Sequence, residues 1–427
     1  MMNECVPARR DLTGVSFRLL AATGLALILL LVLVGVTASA ARQSPSTLQS
    51  IEQATATWLG NPIADVPYSA RHIWDLQVWQ GRVYVGYGDW NANLGPVNIW
   101  YYTPTASAFV SETVYVSEAR PAAPADEEAI DRYVVIDGDL YIPGTDPIST
   151  NSWDWGNFYH NDGMGWIKYR TIPYGVHTFD MAGYDGELFA SIGPDGAPGL
   201  LRSSDGGLVW TSAISEVNPD DYFNRFYELY ELNGSLFAVK SPTMTYAKPT
   251  VYHYQYPGFI TTTIDLVPDQ SSGLIFVRDG VFVFGDSLLY VPWILDPITS
   301  SLRPISALYQ AKPWQNGQRV TFFDGKHPRD VVVTQEQVYV LDAGGPRCMV
   351  CDQLPDLAGY TATVYASSDL QEWQPMASAH FTDTPNALEV LDGTAYVGTY
   401  NGDIYALPLL RHRWYFPLVF YNGRIGE

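Results

Sequence analysis

Short runs of alternating hydrophobic and polar residues fill most of the chain after residue 60, and they recur as one pattern. Each copy is an apolar alternating run, a turn, and a second run of the type Gly-x-apolar-Tyr/Phe-apolar. Period-2 alternation predicts β-strands. The seven turns lie 46 to 57 residues apart, at Gly81, Gly138, Gly186, Gly234, Gly280, Glu336 and Gly393. A period near 50 built from strands is typical of a β-propeller with one four-stranded blade per repeat.

The pattern predicts an all-β fold: a seven-bladed β-propeller of four-stranded antiparallel blades over residues 61–410, preceded by one N-terminal hydrophobic helix. Residues 41–60 are predicted to be a tether. Blade 7 is short, so a further strand is needed to close the ring and remove exposed sheet edges. That strand comes either from residues 53–68 or from the tail, residues 411–427.

Residues 1–40 read as a targeting segment. Three arginines precede an apolar run from Leu19 to Ala40, and Ala38-Ser39-Ala40 resembles a cleavage site. The run is also close to the length that spans a bilayer. The segment is therefore either a signal peptide or a signal anchor. In both cases we expect an extracytoplasmic protein, secreted or membrane-anchored, that touches the membrane only through this segment.

Composition supports this picture. Of 427 residues, 47% are hydrophobic and 16% charged, with 29 Tyr and 13 Trp, which favours an all-β protein. The formal net charge of −21 should repel nucleic acid and anionic lipid, although it also serves solubility. The expected partners are carbohydrate or an exported protein, and we expect a monomer.

Two cysteines lie after the targeting segment, Cys348 and Cys351. One C-x-x-C pair cannot supply the four ligands of a structural zinc site. Asp352 follows the pair, where a haem-attachment motif needs histidine. We therefore predict a local disulfide in an oxidising compartment.

One serine- and aspartate-containing motif recurs in the second half of the blades. Its full form in blade 3 is Ser203, Asp205, Gly207 and Trp210, and its shortened form in blade 6 is Ser367, Asp369 and Trp373. The motif resembles the Asp-box of sialidase-type (BNR) repeats. The resemblance implies a structural turn between strands three and four, with a turn-binding Asp and a Trp packed between blades. The early Arg-Ile-Pro motif of sialidases is not present and those enzymes have six blades, so sialidase activity is not expected.

Three entries to strand one carry the pattern H-x-x-D. The pairs are His72 with Asp75, His177 with Asp180, and His327 with Asp330. Since strand one lines the central channel, the three imidazoles could converge on a divalent metal, with the aspartates as catalytic groups. The layout is similar to that of metal-dependent propeller enzymes such as oligogalacturonate lyases. In the alternative interpretation, the aspartates cap turns and the histidines are inherited by repeat duplication.

Loops that enter strand one and loops that join strands two and three share one face of a propeller, here called the near face. The opposite face is the far face. Two near-face loops combine tryptophan with Asp or Asn, which suits sugar binding. Their candidate ligand-binding residues are Asp89, Trp90, Asn91, Trp153, Asp154 and Trp155. Alternatively these tryptophans pack between blades.

The sequence contains no catalytic motif that identifies a reaction. We therefore expect a surface-associated module that binds carbohydrate or protein through its near face, with no cofactor firmly implied. The alternative is a metal-dependent polysaccharide lyase or glycoside hydrolase that uses the three histidines.

Overall fold

A computed structural model describes most of the chain after residue 54, and the described residues all belong to the compact unit 51–427. The described residues are 55–89, 94–115, 122–148, 154–193, 199–215, 225–242, 247–271, 274–278, 280–295, 302–344 and 359–410. Among them, no helix combines the length and the apolar character needed to cross a bilayer.

The strands form seven antiparallel blades, which confirms the predicted seven-bladed propeller. Blade 1 contains Ile73–Trp79, Arg82–Tyr87, Ile99–Thr103 and Ala108–Glu112. Blade 2 contains Val134–Ile136, Asp139–Pro143, Trp155–Asn161 and Trp166–Pro173. Blade 3 contains His177–Tyr184, Glu187–Gly193, Gly199–Ser203 and Thr211–Ser215. Blade 4 contains Arg225–Leu232, Ser235–Ser241, Thr250–Gln255 and Gly258–Thr261.

The remaining blades follow the same order. Blade 5 contains Val281–Phe284, Ser287–Tyr290, Tyr309–Ala311 and Gln318–Arg319. Blade 6 contains Pro328–Val333, Val338–Ala343, Tyr360–Ser367 and Gln374–Phe381. Blade 7 contains Pro385–Leu391, Thr394–Thr399, Ile404–Pro408 and, outermost, Thr57–Gly60.

A few elements lie outside this scheme. Val114–Tyr115 adds a short parallel strand to the edge of blade 2. Blade 5 carries an inserted three-stranded sheet of Leu274–Phe276, Trp293–Leu295 and Leu302–Pro304. Single turns of 3-10 helix cover Tyr68–Ala70 and Thr321–Phe323.

In blades 1, 2, 3, 4 and 7, the turn between strands one and two has two successive residues with positive φ. In blade 3, Asp185 has φ 51° and Gly186 has φ 75°. This is the type I′ geometry, whose twist matches that of the flanking strands and which favours Asp-Gly and Asn-Gly. Blade 5 departs from the sequence prediction. Its turn lies at Gly285 (φ 60°), and Val281–Phe284 is the first strand rather than the second, so Gly280 precedes the blade.

The ring is closed by the N-terminal segment. Thr57–Gly60 pairs antiparallel with Ile404–Pro408, and Trp58 Nε1 donates a hydrogen bond to Asp403 Oδ1 at 3.0 Å. Asn61 adds a hydrogen bond from its side-chain nitrogen to Asn401 O at 2.9 Å. Two sources were predicted for the closing strand, and residues 53–68 supply it. The closing strand therefore lies within residues 41–60, the range predicted to be a tether. The tail, 411–427, lies outside the described residues.

Neighbouring blades hold together through aromatic residues on their facing surfaces. Trp166 of blade 2 is buried, donates through Nε1 to Glu112 Oε2 at 2.8 Å, and packs edge-on against Tyr84 of blade 1. Each large side chain of this kind contributes apolar burial while its polar atom stays bonded. The core is therefore a series of interfaces between sheets around an axis.

Candidate functional site

The two strand three–four turns singled out by sequence are tightly bonded within themselves. In blade 3, Asp205 Oδ1 accepts the N–H groups of Leu208 at 3.1 Å and Val209 at 2.9 Å. These backbone bonds lower the pKa of Asp205. Trp210 is buried and donates through Nε1 to Gly207 O at 2.9 Å.

The blade 6 turn repeats the aspartate bonds of blade 3 but lacks the glycine and, within the described residues, the bond from the tryptophan. Asp369 Oδ1 accepts N–H groups from Gln371 and Glu372, both at 2.9 Å, and Ser367 Oγ donates to Asp369 Oδ1 at 3.1 Å. Trp373 is buried beside it. In the described part of the chain, the two aspartates bond only within their own turns, and Trp210 Nε1 also donates to Thr171 Oγ1 of blade 2 at 3.3 Å, so these residues have a structural task on the far face.

At the axis, acidic residues of strand one bond across to the next blade. The acceptor is a side-chain carboxylate and the donor is a backbone N–H of the neighbouring inner strand. The bonds join Asp75 to Tyr133, Asp180 to Leu229, Glu228 to Gly280, Asp330 to Leu388 and Glu389 to Val78, at 2.7 to 3.1 Å. A β-bulge beside Asp75, Asp180, Glu228 and Asp330 interrupts the strand register.

Blade 2 places a cation at the equivalent position. The Arg132 guanidinium donates two hydrogen bonds to Glu228, at 2.8 and 2.9 Å, and pairs with Asp180 at 3.0 Å. Although burial alone would lower it, the two carboxylates raise the pKa of Arg132 well above its usual value. Burial raises the pKa of Glu228 to about 7, against the effect of Arg132. Arg132 therefore ties blades 2, 3 and 4 together at the axis.

These charged groups line an axial cavity of about 350 Å³. Its wall carries the carboxyl groups of Asp75, Asp131, Asp180, Glu228 and Asp330 and the guanidinium groups of Arg132 and Arg278. At the near-face end, Trp74 of blade 1 and Tyr227 of blade 4 pack against the inserted sheet of blade 5, which therefore reaches across the axis. Val135, near the far-face end of strand one, lines the cavity and is 44% exposed. The cavity thus opens toward the far face.

The structure brings together the three candidate catalytic aspartates, Asp75, Asp180 and Asp330, on the wall of this cavity. Each one, however, accepts a backbone N–H from the next blade. A buried carboxylate without such partners would be costly. The repeated aspartate is thus accounted for by the joints between blades, which the sequence did not reveal.

The three candidate histidines do not meet. His72 is buried and stacks on Tyr400 with ring centroids 3.5 Å apart, and burial lowers its pKa to about 4. His177 Nδ1 lies 2.7 Å from the carbonyl oxygen of Thr145, and His327 Nδ1 lies 3.1 Å from Ser306 Oγ. Each imidazole contacts a different blade.

Among the described residues, no group of three or more His, Cys, Asp or Glu side chains could hold a metal ion. The three-histidine metal site expected from His72, His177 and His327 is therefore not formed. The physical reason is local. Each histidine precedes the bulge of strand one, and its ring contacts the preceding blade, at Tyr400, Thr145 or Ser306.

Two buried glutamates give the fold a defined pH dependence. Burial raises the pKa of Glu389 to about 8, with further contributions from Asp75 and Asp330, and burial raises the pKa of Glu127 to about 8. Both values lie above the ordinary 4.5, so the folded chain binds more protons than the unfolded chain between about pH 4.5 and 8. The stabilising protonation is complete below pH 4.5 and is lost as the pH rises toward 8.

We expect the melting temperature to be higher at pH 5.5 than at pH 8.5. While it titrates, each such group changes the free energy of unfolding by up to about 1.4 kcal/mol per pH unit. Glu389→Gln, which cannot titrate, should reduce the difference between the two pH values. A melting temperature that rises from pH 5.5 to pH 8.5, or a slope unaffected by Glu389→Gln, contradicts the assignment.

On the near face, the connection between blades 1 and 2 runs between the two candidate loops. Glu128 O accepts the N–H of Asp89 at 3.3 Å, and Glu128 N donates to Asp146 O at 2.8 Å. Gly88 has φ 132°, and a Cβ there would lie 2.4 Å from Glu128 O. Only glycine permits this approach, and it fixes the blade 1 loop against the connection.

The blade 2 loop ends in an exposed aromatic corner. Trp155 is 45% exposed and pairs in register with Pro173, and the following residue, Tyr174, is 69% exposed. The N–H of Tyr174 donates to the carbonyl oxygen of Asp154 at 2.7 Å. We call Asp154, Trp155 and Tyr174 the aromatic corner. Of the six candidate ligand-binding residues, Asp89, Asp154 and Trp155 are thus placed, while Trp90, Asn91 and Trp153 lie outside the described residues, as do Cys348 and Cys351.

Sequence reasoning missed Tyr174 and Arg132. Tyr174 sits in a Pro-Tyr-Gly sequence that signals a turn, but nothing in the pattern says that the turn meets Trp155. Arg132 follows from aligning the inner strands, since it occupies the place that Asp75 and Asp180 hold in blades 1 and 3. A basic residue at a position that is acidic in the neighbouring blades indicates an ion pair between those blades.

No protein-family model matches the chain, and no curated protein matches it. Similar solved structures include the computationally designed protein Ika8, with 10% identity and TM-score 0.47 over 82% of this chain and 99% of that chain. An ulvan lyase from a family of polysaccharide lyases has 11% identity and TM-score 0.46, covering 84% and 95%. Virginiamycin B lyase from Staphylococcus aureus has 11% identity and TM-score 0.45, covering 80% and 96%. At these values the likeness says nothing about activity, and the seven-bladed architecture rests on the strand pairing described above.

Proposed function

We propose that this propeller is a carbohydrate-binding module and that the aromatic corner of blade 2 is a contact surface for sugar. The observation that carries the proposal is the pair of exposed aromatic residues, Trp155 and Tyr174, joined at one corner by the backbone bond from Tyr174 to Asp154, which is itself exposed. An aromatic face covers the apolar side of a pyranose ring, and a carboxylate accepts hydrogen bonds from its hydroxyl groups.

The backbone behind the corner supports the proposal. A Cβ on Gly156 would lie 1.7 Å from the carbonyl oxygen of Gly175, so two glycines let the segments after Trp155 and Tyr174 touch. Tyr174 has φ 57°, which is rare for a bulky residue and costs on the order of 1 kcal/mol. Such strain is concentrated at functional sites, where a side chain must be held in a particular direction.

The wider setting belongs to the same proposal. Residues 1–40 would export the chain and leave it secreted or anchored at the cell surface, facing polysaccharide outside the cell. The turns at Asp205 and Asp369 would be Asp-boxes in the sense of sialidase-type repeats, with a structural role only.

The test is a glycan microarray with the full chain, followed by titration of the best-binding glycan. Trp155→Ala and Tyr174→Ala are each expected to weaken binding roughly tenfold or more, since stacking on an aromatic ring contributes about 1 kcal/mol beyond its buried area. The matched control is Trp58→Ala, because Trp58 is an exposed tryptophan of another blade, 60% exposed.

Two results would overturn the proposal. One is no glycan bound above background on the array, which would favour a protein partner. The other is equal loss of affinity in Trp155→Ala and Trp58→Ala, which would place the sugar elsewhere. Circular dichroism and melting of each variant separate loss of contact from loss of folding.

A further inference from the structure

A second cavity, of about 340 Å³, lies on the far face between blades 5 and 6. One wall is the loop between strands three and four of blade 5, residues 312–317, and the other is the corresponding turn of blade 6 at Leu370 and Gln371. By chain direction, both belong to the face opposite the aromatic corner. Its volume is within the range of roughly 300–1,000 Å³ of small-molecule sites.

The charge of this cavity's lining differs from that of the whole chain. The chain carries a net charge of −21, yet the lining contains no carboxylate among the described residues. The two cations in the lining are already neutralised: Lys312 bonds both oxygens of Asp286 at 2.9 Å, and Arg319 bonds Asp269. The cavity therefore offers little net charge to a ligand.

Carboxamides dominate the polar part of the wall. They come from Gln310, Gln315, Asn316, Gln318 and Gln371. Each carboxamide both donates and accepts hydrogen bonds, as a sugar hydroxyl does. Within the described part of the chain, the side-chain amides of Gln315, Gln318 and Gln371 form no hydrogen bond, so their bonding capacity faces solvent or a ligand.

Both walls are held in place without a ligand. In blade 5, Gly317 N donates to Asp265 O at 2.8 Å and Asn316 Oδ1 accepts Asp265 N at 2.9 Å. In blade 6, Asp369 fixes the backbone of Gln371. Phe322 also lines the cavity and adds an apolar side chain to it. A preformed site of this kind avoids much of the ordering cost of binding.

We propose that this amide-lined cavity binds a neutral oligosaccharide. It is a separate site from the aromatic corner, on the opposite face, and its support does not depend on that corner. A wall whose two cations, Lys312 and Arg319, are already paired with carboxylates, and whose other polar side chains both donate and accept, favours neutral hydroxyl-rich ligands over uronates and amino sugars.

The experiment titrates the full chain with neutral tetrasaccharides of glucose, mannose and galactose, by calorimetry, beside a tetragalacturonate. The double variant Gln315→Leu with Gln371→Leu is expected to bind the best neutral ligand at least tenfold more weakly than the wild type. The matched control is Gln374→Leu, an exposed glutamine of blade 6 outside the cavity. It should bind like the wild type.

Binding at this cavity should persist in Trp155→Ala with Tyr174→Ala, which separates the two sites. A panel that shows no binding at millimolar concentration overturns the inference, as does a double variant within twofold of Gln374→Leu. Tetragalacturonate bound as tightly as the neutral ligands also overturns it. If the amide-lined cavity binds no oligosaccharide, the proposal for the aromatic corner still stands or falls with the Trp155 and Tyr174 variants.

Discussion

Replacing Arg132 by methionine is expected to lower the free energy of unfolding by about 3–5 kcal/mol, because it leaves two buried carboxylates without their cation. Glu228 is fully buried and Asp180 nearly so, and both bond the same guanidinium. Burial already raises the pKa of both carboxyls, so without Arg132 their ionised forms become more costly still.

Urea unfolding measures this loss. The control is Lys312→Met, which removes a cation from an exposed pair with Asp286 and should change stability little. Adding Glu228→Gln to Arg132→Met should recover part of the loss, since one of the two unpaired charges disappears. A loss below 1 kcal/mol in Arg132→Met would show that the ion pairs do not join the blades.

Deletion of Thr57–Gly60, the strand that closes the ring, should strongly lower the stability of the propeller. It removes the outer strand of blade 7 and exposes the backbone edge of Ile404–Pro408. An open edge is a template for pairing with other chains. We expect a melting temperature lower on the order of 10 °C, with self-association detectable by light scattering.

A deletion of equal length upstream, residues 45–48, is the control, because those residues belong to the predicted tether. It should leave melting and monodispersity unchanged. If both deletions behave alike, the closing strand contributes nothing to the ring.

The repeat pattern was enough to predict the blades because each blade is specified locally. Alternation sets the strands, and Asp185-Gly186 with its equivalents sets the type I′ turns between them. Blade 5 misled the prediction because Asp279-Gly280 has the same turn chemistry but stands before the first strand. Local sequence cannot tell these two places apart when the true turn, at Gly285, follows five residues later.

The site was less predictable because its contacts join distant residues. The sequence predicted that Asp75, Asp180 and Asp330 share one face. They line the axial cavity, and their partners are backbone N–H groups of the following blade. Those donors carry no side-chain signature. For the same reason, the spacing of His72 and its equivalents suggested convergence, whereas packing on Tyr400 turns that ring away.

The most direct test of carbohydrate binding is hydrogen–deuterium exchange of the full chain with and without the best-binding glycan from the array. The account predicts slower exchange in the peptides that contain residues 154–158 and 172–176, which carry Trp155 and Tyr174 at the corner of blade 2. Protection confined to other blades, with these two segments unchanged at saturating glycan, would contradict it.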